Sequence, residues 1–398
     1  FTPELRVLVY HGWDRHGVAF DDYDLIVSTY GLVQRDEELF MSYPFYYLVL
    51  DEAQFIKNVR TKTRKIIQQL KGSHRLCLTG TPLENHLGEL WSLFHFLSPG
   101  LLGDLKQFRR FFQNPIEKKA DVQCRQVLSR RIQPFLLRRA KNEVMRELPP
   151  KTEITEVVEL AGTQRDLYEA IRISTERDVR EAIAQQGLGR SHVILLDALL
   201  KLRQVCCDPR LLKISDLKLS QGDSAKLMAC LALLDNLMEE GRSVLIFSQF
   251  TSMLHLIEEA LIERDYPYLK LTGQTTNRQA LVNRFQAGEV PIFLISLKAG
   301  GTGLNLTQAD TVIHYDPWWN PAVEDQATDR SHRIGQKKPV FVYKLIVSGS
   351  VEEAMVSMQN RKRSLFDSIL LEDAALGKVN LTEADIAQFF MPLGADKK

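Results

Sequence analysis

Short apolar, β-branched runs alternate with helical patterns in two separate blocks of this 398-residue chain, and this alternation constrains the fold most. Buried strands that alternate with helices are typical of parallel α/β sheets. The strand runs of the first block are 5–10, 24–30, 46–54 and 74–82, with a helix at 61–72 closed by Gly72. Those of the second block are 243–250, 266–273, 290–296, 310–316 and 339–347, with one of the intervening helices at 275–287.

The stretches outside the two blocks have a different texture. Residues 86–150 read as broken, basic helices, and a single strand at 151–160 follows the Pro149-Pro150 pair. The helical patterns at 163–185 and 191–212 lead into a polar segment, 217–226, which is the best candidate for a linker. An amphipathic helix at 351–371 follows the last strand run.

The charge is unevenly spread along the chain. The formal net charge is only +1, yet residues 101–151 carry 13 Lys/Arg against 5 Asp/Glu, a local net of +8. Residues 152–190 carry 5 against 8, a local net of −3. A neutral total can therefore hide a basic face, and composition does not exclude binding to nucleic acid.

Composition excludes several other classes of protein. With 44% hydrophobic and 25% charged residues, the chain is neither a disordered protein nor a disulfide miniprotein. Its five cysteines are scattered without a C-x-x-C pair, which argues against a zinc ribbon and favours a reducing compartment. No apolar run approaches the roughly 20 residues that a membrane span needs, so we expect no membrane association.

Two adjacent carboxylates, Asp51 and Glu52, follow an apolar run in the string VLDEAQ. Ligands of open α/β sheets bind beyond the carboxyl ends of strands. One carboxylate there can hold Mg²⁺, and the next can orient an attacking water. The string LTGTP (78–82) ends the next strand and offers the Thr79 hydroxyl and the small Gly80, which favours a shared site.

Two further strings carry groups suited to phosphate. SLKAGGTGLNL (296–306) follows a strand, and its glycines, Thr302 and Lys298 fit contact with a phosphate backbone. In DQATDRSHRIGQ (325–336), Arg330 and Arg333 are three apart and would share one face of a helix. Two arginines directed at one spot suit the charge that develops on a transferring phosphoryl group.

Each of these strings also has a structural interpretation. The acidic pair could be a solvated surface turn, the glycine-rich strings plain strand-to-helix turns, and the arginines part of a basic solvated helix. Trp318 and Trp319 in HYDPWWNP could stack on bases or contact phosphate, or could pack the loop into the core.

Taken together, the strings resemble one family, the SWI/SNF-like ATPases of helicase superfamily two. The matching pieces cover nearly the whole chain and run in order: STYGL (28–32), LDEAQFIKN (50–58), LTGTPLENHLGELWSLFHFLSPGLLG (78–103), PFLLRRAKNEV (134–144), LPPKTE (148–153), KLRQVCCDP (201–209), VLIFSQFTSML (244–254), LTGQT (271–275), SLKAGGTGLNL, ADTVIHYDPWWNP and DRSHRIGQ.

The resemblance implies two RecA-like parallel-sheet lobes with helical insertions, ATP and Mg²⁺ between the lobes, and double-stranded DNA across both. The implied division is a partial first lobe (1–85), its basic helical insertion (86–150), an interlobe strand with the insertion of the second lobe (151–225), the second lobe (226–350) and C-terminal bracing helices (351–398).

The resemblance also implies roles for single residues. Asp51 and Glu52 would form the Mg²⁺ and water site, and Arg330 and Arg333 would be arginine fingers. Gln326, Gly303 and Asp51 would contact the nucleotide. The candidates for contact with DNA or between lobes are Thr29, Thr79, Gly80, Gln249, Lys298, Gly301, Thr302 and Trp318.

One departure from the family pattern is large. The family requires a phosphate-binding loop of the form G-x-x-x-x-G-K-[ST], and this string does not occur in the 398 residues. We therefore expect a fragment with an incomplete first lobe and negligible ATP hydrolysis by itself.

The expected function of the complete protein is that of a DNA-dependent ATPase that moves along double-stranded DNA and acts on DNA-bound proteins. A non-catalytic nucleic-acid-binding module and an RNA helicase of the same superfamily are the alternatives. We expect a monomer, located in the cytoplasm or nucleoid of a bacterium or in the nucleus of a eukaryote.

Overall fold

The structure, a computed structural model, describes residues 2–12, 15, 17–80, 86–119, 121–139, 141, 147–187, 190–212, 214, 219–300, 303–370 and 383–394, with the backbone alone for 361–370, 383 and 384. The chain divides into two compact units, Phe1–Phe135 with Leu365–Asn380 and Leu136–Ser364 with Leu381–Lys398. The predicted five-part division remains a prediction.

The first unit contains two pairs of parallel strands. β1 (Val7–Val9) pairs with β2 (Leu25–Val27), and β3 (Phe45–Leu50) pairs with β4 (Gly72–Cys77). Its α-helices, outside the insertion, are Tyr30–Arg35, Glu37–Ser42 and Lys62–Gln69, and its short 3-10 segments are Phe20–Asp22 and Ala53–Ile56.

The Thr61 hydroxyl caps the helix Lys62–Gln69, which ends three residues before Gly72. The prediction that Gly72 closes this helix is therefore wrong, because Gly72 is the first residue of β4. A Cβ at Gly72 would lie 2.6 Å from Cδ1 of Leu48, so the small residue permits the close packing of β3 and β4.

One face of these strands is buried and the other is open. The residues of β1 to β4 alternate between covered and exposed, whereas parallel strands are normally covered on both faces. The exposed apolar side chains of the open face are Val7, Val9, Leu25, Val27, Tyr47, Val49 and Leu76, and Tyr46 at the start of β3 is exposed as well.

The basic stretch after β4 is helical, as predicted. The helix Leu87–Leu97 ends just before Pro99, and Leu90, Phe94, Phe108 and Leu128 share one buried cluster. The remaining elements of this insertion are Leu105–Phe108, the π-helical turn Arg109–Gln113, Asn114–Lys119, Val122–Ile132 and the 3-10 turn Gln133–Phe135.

The second unit is built on a six-stranded, all-parallel sheet in the order β5-β10-β9-β6-β8-β7. Its strands are β5 (Lys151–Val158), β6 (Val244–Ser248), β7 (Tyr268–Leu271), β8 (Ile292–Ser296), β9 (Thr311–His314) and β10 (Val340–Val347). Every residue of β6, β8 and β9 is buried, which agrees with the apolar runs in the sequence. The α/β class with parallel sheets is thus confirmed.

Helices cover the second sheet. They are Gly162–Gln186, His192–Cys207, Ala225–Glu239, Thr251–Glu263, Arg278–Gln286, Leu297–Gly300, Pro321–Thr328, Val351–Leu370 and Glu383–Phe389, with 3-10 turns at Pro209–Leu212 and Gln221–Asp223.

The end of the predicted linker, 217–226, belongs to the core. Ser224 caps the helix Ala225–Glu239, and the Lys226 side chain is fully buried. Its Nζ lies 2.5 Å from Oε2 of Glu352, which also accepts the Val347 N–H. This ion pair explains how a lysine tolerates burial, and it joins the helix Val351–Leu370 to the helix Ala225–Glu239.

Candidate functional site

The acidic pair lies where β3 ends. Asp51 is exposed, and its Oδ1 accepts the backbone N–H of Glu52 at 2.9 Å. The Tyr30 hydroxyl donates to the Asp51 carbonyl at 2.7 Å, which ties the STYGL segment to the acidic pair. Burial, more than the nearby charges, raises the pKa of Tyr30 and keeps this hydroxyl a donor.

The backbone of Glu52 is strained. Its φ of 48° and ψ of 50° fall in the left-handed region, and Glu52 is one of two non-glycine residues in the described ranges with positive φ. Such a conformation costs about 1–3 kcal/mol and is concentrated at functional sites. The strain favours a functional turn over a plain surface turn.

The acidic pair and the LTG string are joined by side chains. Oε2 of Glu52 accepts from Nε2 of Gln54 at 2.7 Å, and Oε1 of Gln54 accepts the Thr79 hydroxyl at 2.9 Å. Backbone bonds from Leu78 to Leu50 and from Ala53 to Leu78 hold the two strand ends together. The structure therefore brings Glu52 and Thr79 into one hydrogen-bonded cluster, as the sequence predicted.

Two other predicted DNA contacts in this unit are open to solvent. Thr29 is exposed, and its hydroxyl oxygen accepts the Leu32 N–H as the N-cap of the helix Tyr30–Arg35. Gly80 is exposed, and a Cβ there would have nothing within 4 Å. Both therefore leave space for a ligand, although the Thr29 oxygen already has a structural task.

In the second unit, a buried polar cluster lies at the carboxyl ends of β6 and β9. Oδ1 of Asp316 accepts the Ser248 hydroxyl at 2.6 Å and the Gln249 N–H at 3.3 Å. Arg203 donates to the Pro317 carbonyl, and its Nη2 lies 3.8 Å from Oδ2 of Asp316. Burial raises the pKa of Asp316 to about 6, against the opposing effect of Arg203. The cluster fixes the backbone of Gln249, a predicted DNA contact.

The glycine-rich string after β8 is only partly described. Lys298 is exposed on the one-turn helix Leu297–Gly300, and Gly303 has a φ of 50° with open space around it. Gly301 and Thr302 lie outside the described residues. Because Lys298 is exposed, it remains a candidate for contact with a phosphate.

The peptide of Trp318 is held on both sides. Its N–H donates to Oε1 of Glu324 at 2.6 Å, and its carbonyl accepts from the Gln359 side chain on the helix Val351–Leu370. Burial raises the pKa of Glu324 to about 7. The Trp318 ring is half-buried and packs against the sheet core, whereas Trp319 packs on Phe389 in another cluster.

The two arginines do not lie on a helix. The helix Pro321–Thr328, which carries the half-buried Gln326, ends before Arg330, so the prediction of a shared helical face is wrong. Both residues belong to residues 329–336, here called the arginine turn. Arg330 is 8% exposed and its carbonyl accepts the Leu306 N–H, while Arg333 is exposed.

Gln336 explains why the helix does not continue. Its side-chain amide donates to the carbonyls of Thr307, Ala309 and Ser331, at 3.0, 2.7 and 3.1 Å. These bonds fold the arginine turn back on the chain that follows the glycine-rich string. The turn is therefore rigid around an exposed arginine.

The sequence reading missed three residues that organise the site, Gln54, Asp316 and Glu324. Gln54 and Asp316 lie within strings that the sequence singled out, so position in the motif was the available signal for these two. Glu324 lies between two such strings, directly before DQATDRSHRIGQ. Asp316 ends a strand run, but the neighbouring residues in the sequence do not predict its contacts with Ser248 and Arg203.

The acidic pair fits Mg²⁺ bound together with a nucleotide. Mg²⁺ in such sites takes one or two carboxylates and completes its shell with waters and phosphate oxygens. Asp51 and Glu52 would supply the carboxylates. Thr79 is linked to Glu52 by hydrogen bonds through the side chain of Gln54. Across the described ranges, no group of three or more His, Cys, Asp or Glu residues could form an all-protein metal cage. None of the helices in those ranges is long and apolar enough to cross a bilayer.

Comparison with family models decides the affiliation of the chain. Residues 1–211 match the SNF2-related domain, and residues 225–335 match the helicase conserved C-terminal domain. The chain belongs to the SNF2-related family. The resemblance seen in the sequence is thus confirmed.

Named relatives of this SNF2-related chain occur in bacteria and eukaryotes. A Bacillus subtilis protein whose name includes ATP-dependent helicase/translocase is 39% identical over 97% of this chain and 42% of its own length. The human SWI/SNF-related matrix-associated actin-dependent regulator of chromatin subfamily A member 1 is 37% identical over 94% of this chain and 37% of its own length. The chain thus spans about two fifths of the length of these curated relatives.

A solved structure of the same family has a similar fold. The Sulfolobus solfataricus SWI2/SNF2 ATPase core in complex with dsDNA is 35% identical, with a TM-score of 0.51 over 99% of this chain and 82% of that one.

Proposed function

We propose that this SNF2-related chain is the motor of a DNA-dependent ATPase that couples ATP hydrolysis to movement along double-stranded DNA and to remodelling of protein–DNA complexes. The observation that carries the proposal is the hydrogen-bonded link from Glu52 through Gln54 to Thr79. It connects a carboxylate suited to hydrolysis with a residue assigned to DNA contact.

In this proposal the two carboxylates have different tasks. Mg²⁺, bound with ATP, would neutralise charge on the phosphates. Asp51, exposed at the end of β3, would hold the metal, and Glu52 would orient the attacking water. The hydrogen bond from Gln54 fixes one oxygen of Glu52, so the carboxylate is presented in one orientation.

Arg330 and Arg333 would stabilise the negative charge on the transferring phosphoryl group, with Gln326 and Gly303 contacting the nucleotide. A guanidinium suits this task because it is always charged and offers several N–H donors in a rigid plane. The anchoring of the arginine turn by Gln336 supports the assignment, since a preorganised charge needs little rearrangement in the transition state.

DNA would be gripped mainly by its phosphates. The residues assigned to this contact (Thr29, Thr79, Gly80, Gln249, Lys298, Gly301, Thr302 and Trp318) follow strands, and Gly301 and Thr302 lie outside the described ranges. The insertion adds a basic surface whose exposed members include Lys106, Arg109, Arg110, Lys118, Lys119, Arg130 and Arg131. Exposed cations that neutralise phosphates release counterions and bind duplexes without sequence preference.

The open face of the first unit supports a further part of the proposal. Val9 is 67% exposed and Val49 is 52% exposed on parallel strands, which normally have both faces covered. We infer that further α/β chain covers this face and supplies the phosphate-binding loop, so that the 398 residues alone turn over little ATP.

The test uses a preparation of the protein that carries a phosphate-binding loop. ATP hydrolysis is measured with no nucleic acid, duplex DNA, single-stranded DNA and RNA. Strong stimulation by duplex DNA supports the proposal, and preferential stimulation by RNA would favour an RNA helicase instead. Binding of duplex without turnover would favour the non-catalytic module.

A pair of variants makes this test specific. Glu52→Gln keeps the size of the side chain and should abolish turnover, whereas Glu38→Gln changes an exposed carboxylate of the same unit and should leave it unchanged. We expect the protein to act as a monomer where DNA lies, in the nucleoid or the nucleus.

A further inference from the structure

The arginine turn is tied to the chain that enters the second unit. Residues 136–150, here called the connector, precede β5, and Lys141 is one of the described residues within it. Nζ of Lys141 lies 2.6 Å from Oδ1 of Asp329 and donates to the His332 carbonyl at 3.0 Å. A second tie joins Nε2 of His332 to the Pro149 carbonyl at 2.8 Å.

Each of these contacts is made by a residue next to one of the arginines. Asp329 directly precedes Arg330, and His332 directly precedes Arg333. The Lys141 ammonium therefore holds the turn at a carboxylate on one side and at a carbonyl on the other. Hydrogen bonds from a charged donor are shorter and stronger than neutral ones, so one lysine can hold the turn at both points. Solvent weakens the ion pair, because the side chains of Lys141 and Asp329 are 38% and 41% exposed.

The charge of Asp329 gives the clamp a second effect. The carboxylate lies one residue from Arg330 and four from Arg333, and it is 41% exposed even with Lys141 beside it. Without the lysine, this carboxylate would attract a neighbouring guanidinium. An arginine paired in this way would be drawn from the position in which it meets a phosphate.

We propose that Lys141 is a positioning residue for the arginine turn, which it clamps while neutralising Asp329 so that the exposed Arg333 stays available to phosphate. This inference rests on the proposed function.

Four variants test the inference in a preparation that carries a phosphate-binding loop. Lys141→Met should lower kcat for ATP about tenfold, since a small misplacement of a charged group is costly in a transition state, while KM changes by less than about twofold. Lys141→Arg should retain most of the activity. Adding Asp329→Asn to Lys141→Met should restore kcat, because the competing carboxylate is gone. Lys151→Met is the matched control, since Lys151 makes a similar 2.7 Å pair with Glu153 on β5.

The outcomes separate this inference from the proposed function. If Arg333→Ala abolishes turnover while Lys141→Met retains the wild-type kcat, the positioning role is wrong. If Arg333→Ala itself retains full turnover, the arginine assignment in the proposed function is wrong.

A measurement without ATP decides the clamp independently of activity. Hydrogen exchange of the amides in 330–336 should be faster in Lys141→Met than in the wild type or in Lys151→Met. Equal exchange in all three proteins would overturn the clamp.

Discussion

The hydroxyl of Thr79 donates a hydrogen bond to Oε1 of Gln54 across 2.9 Å. The amide of the same glutamine donates to Oε2 of Glu52 across 2.7 Å. A glutamine side chain carries one acceptor and one donor group, so it can link a hydroxyl to a carboxylate while both keep their own roles. Gln54 is therefore a side-chain link between a residue assigned to DNA contact and one assigned to hydrolysis.

Replacing Gln54 with leucine should uncouple DNA from hydrolysis. Both hydrogen bonds are lost, so Glu52 loses a contact that orients its carboxylate and is no longer linked to Thr79 through Gln54. We expect the stimulation of ATP turnover by saturating duplex DNA to fall about tenfold or more, with basal turnover less affected. Steady-state ATPase assays with and without duplex measure this ratio.

Gln34→Leu is the matched control for that variant. Gln34 accepts a hydrogen bond from the Thr63 hydroxyl at 2.7 Å in the same unit. The control removes the same kind of contact away from the two motifs and should leave the stimulation unchanged. An equal loss in both variants would mean that the effect of Gln54 is one of general stability.

Removing the exposed arginine of the turn should stop hydrolysis without harming the fold. Arginine fingers contribute about 10³–10⁵-fold to turnover in related phosphoryl transfer, so Arg333→Ala should lose at least about 10³-fold while nucleotide binding persists. Arg330 is 8% exposed, so its truncation also removes packing and should lower the unfolding temperature. Arg284→Ala, which breaks an exposed pair with Glu289, serves as the control for both.

Duplex binding should be strongly dependent on salt. If the insertion contributes six or more phosphate contacts, affinity falls about 10³-fold between 50 and 200 mM salt. Reversing the exposed pair Lys118 and Lys119 to glutamate should weaken binding and flatten this dependence. Titrations by fluorescence anisotropy at several salt concentrations give the slope, and a slope unchanged by the double reversal would exclude these lysines from the interface.

Glu324 should make the second unit less stable as pH rises. Burial raises its pKa from the ordinary 4.5 to about 7, so the folded state binds the proton more tightly than the unfolded state. Its stabilising contribution is complete below about pH 4.5 and is lost as the pH rises through about 7.

The Glu324→Gln variant tests this dependence because glutamine keeps the acceptor for Trp318 and does not titrate. Its free energy of unfolding, relative to the wild type, should increase by about 2 kcal/mol between pH 5 and pH 8. Urea unfolding at the two pH values measures the change. A difference independent of pH would show that Glu324 titrates normally.

The buried pair of Lys226 and Glu352 should be sensitive to the loss of one partner. Both side chains are fully buried, so Lys226→Met leaves a buried carboxylate uncompensated and should cost about 3–5 kcal/mol of stability. Adding Glu352→Gln should recover a large part of the stability that Lys226→Met loses. The exposed pair broken by Arg284→Ala should cost less than about 1 kcal/mol by the same urea measurement.

The strands of both units could be predicted from their apolar runs, and in the centre of the second sheet these runs reflect burial directly. β6 and β8 are buried at every position, and the sequence shows them as uninterrupted hydrophobic segments. The acidic pair was placed correctly at a strand end for the same reason, since a change from apolar to charged residues marks where a buried strand stops.

The arginine turn shows what local spacing could not predict. A separation of three residues suits a helix, but Gln336 captures carbonyls of a distant loop, and these bonds outweigh the helical preference. The contact of Lys141 with the turn spans 191 residues of sequence, as measured to His332. Such pairings depend on the assembled sheet, so no short window of the sequence contains them.

The ion pair of Lys226 and Glu352 has a consequence for synthesis on the ribosome. The two residues are 126 positions apart, and β6 to β10 all lie between them. Until Glu352 has emerged, the nascent second sheet must either leave Lys226 in water or bury an unpaired charge. The sheet can therefore reach its final packing only after all six of its strands have been translated, and a nascent chain stalled before that point is the form most exposed to misfolding.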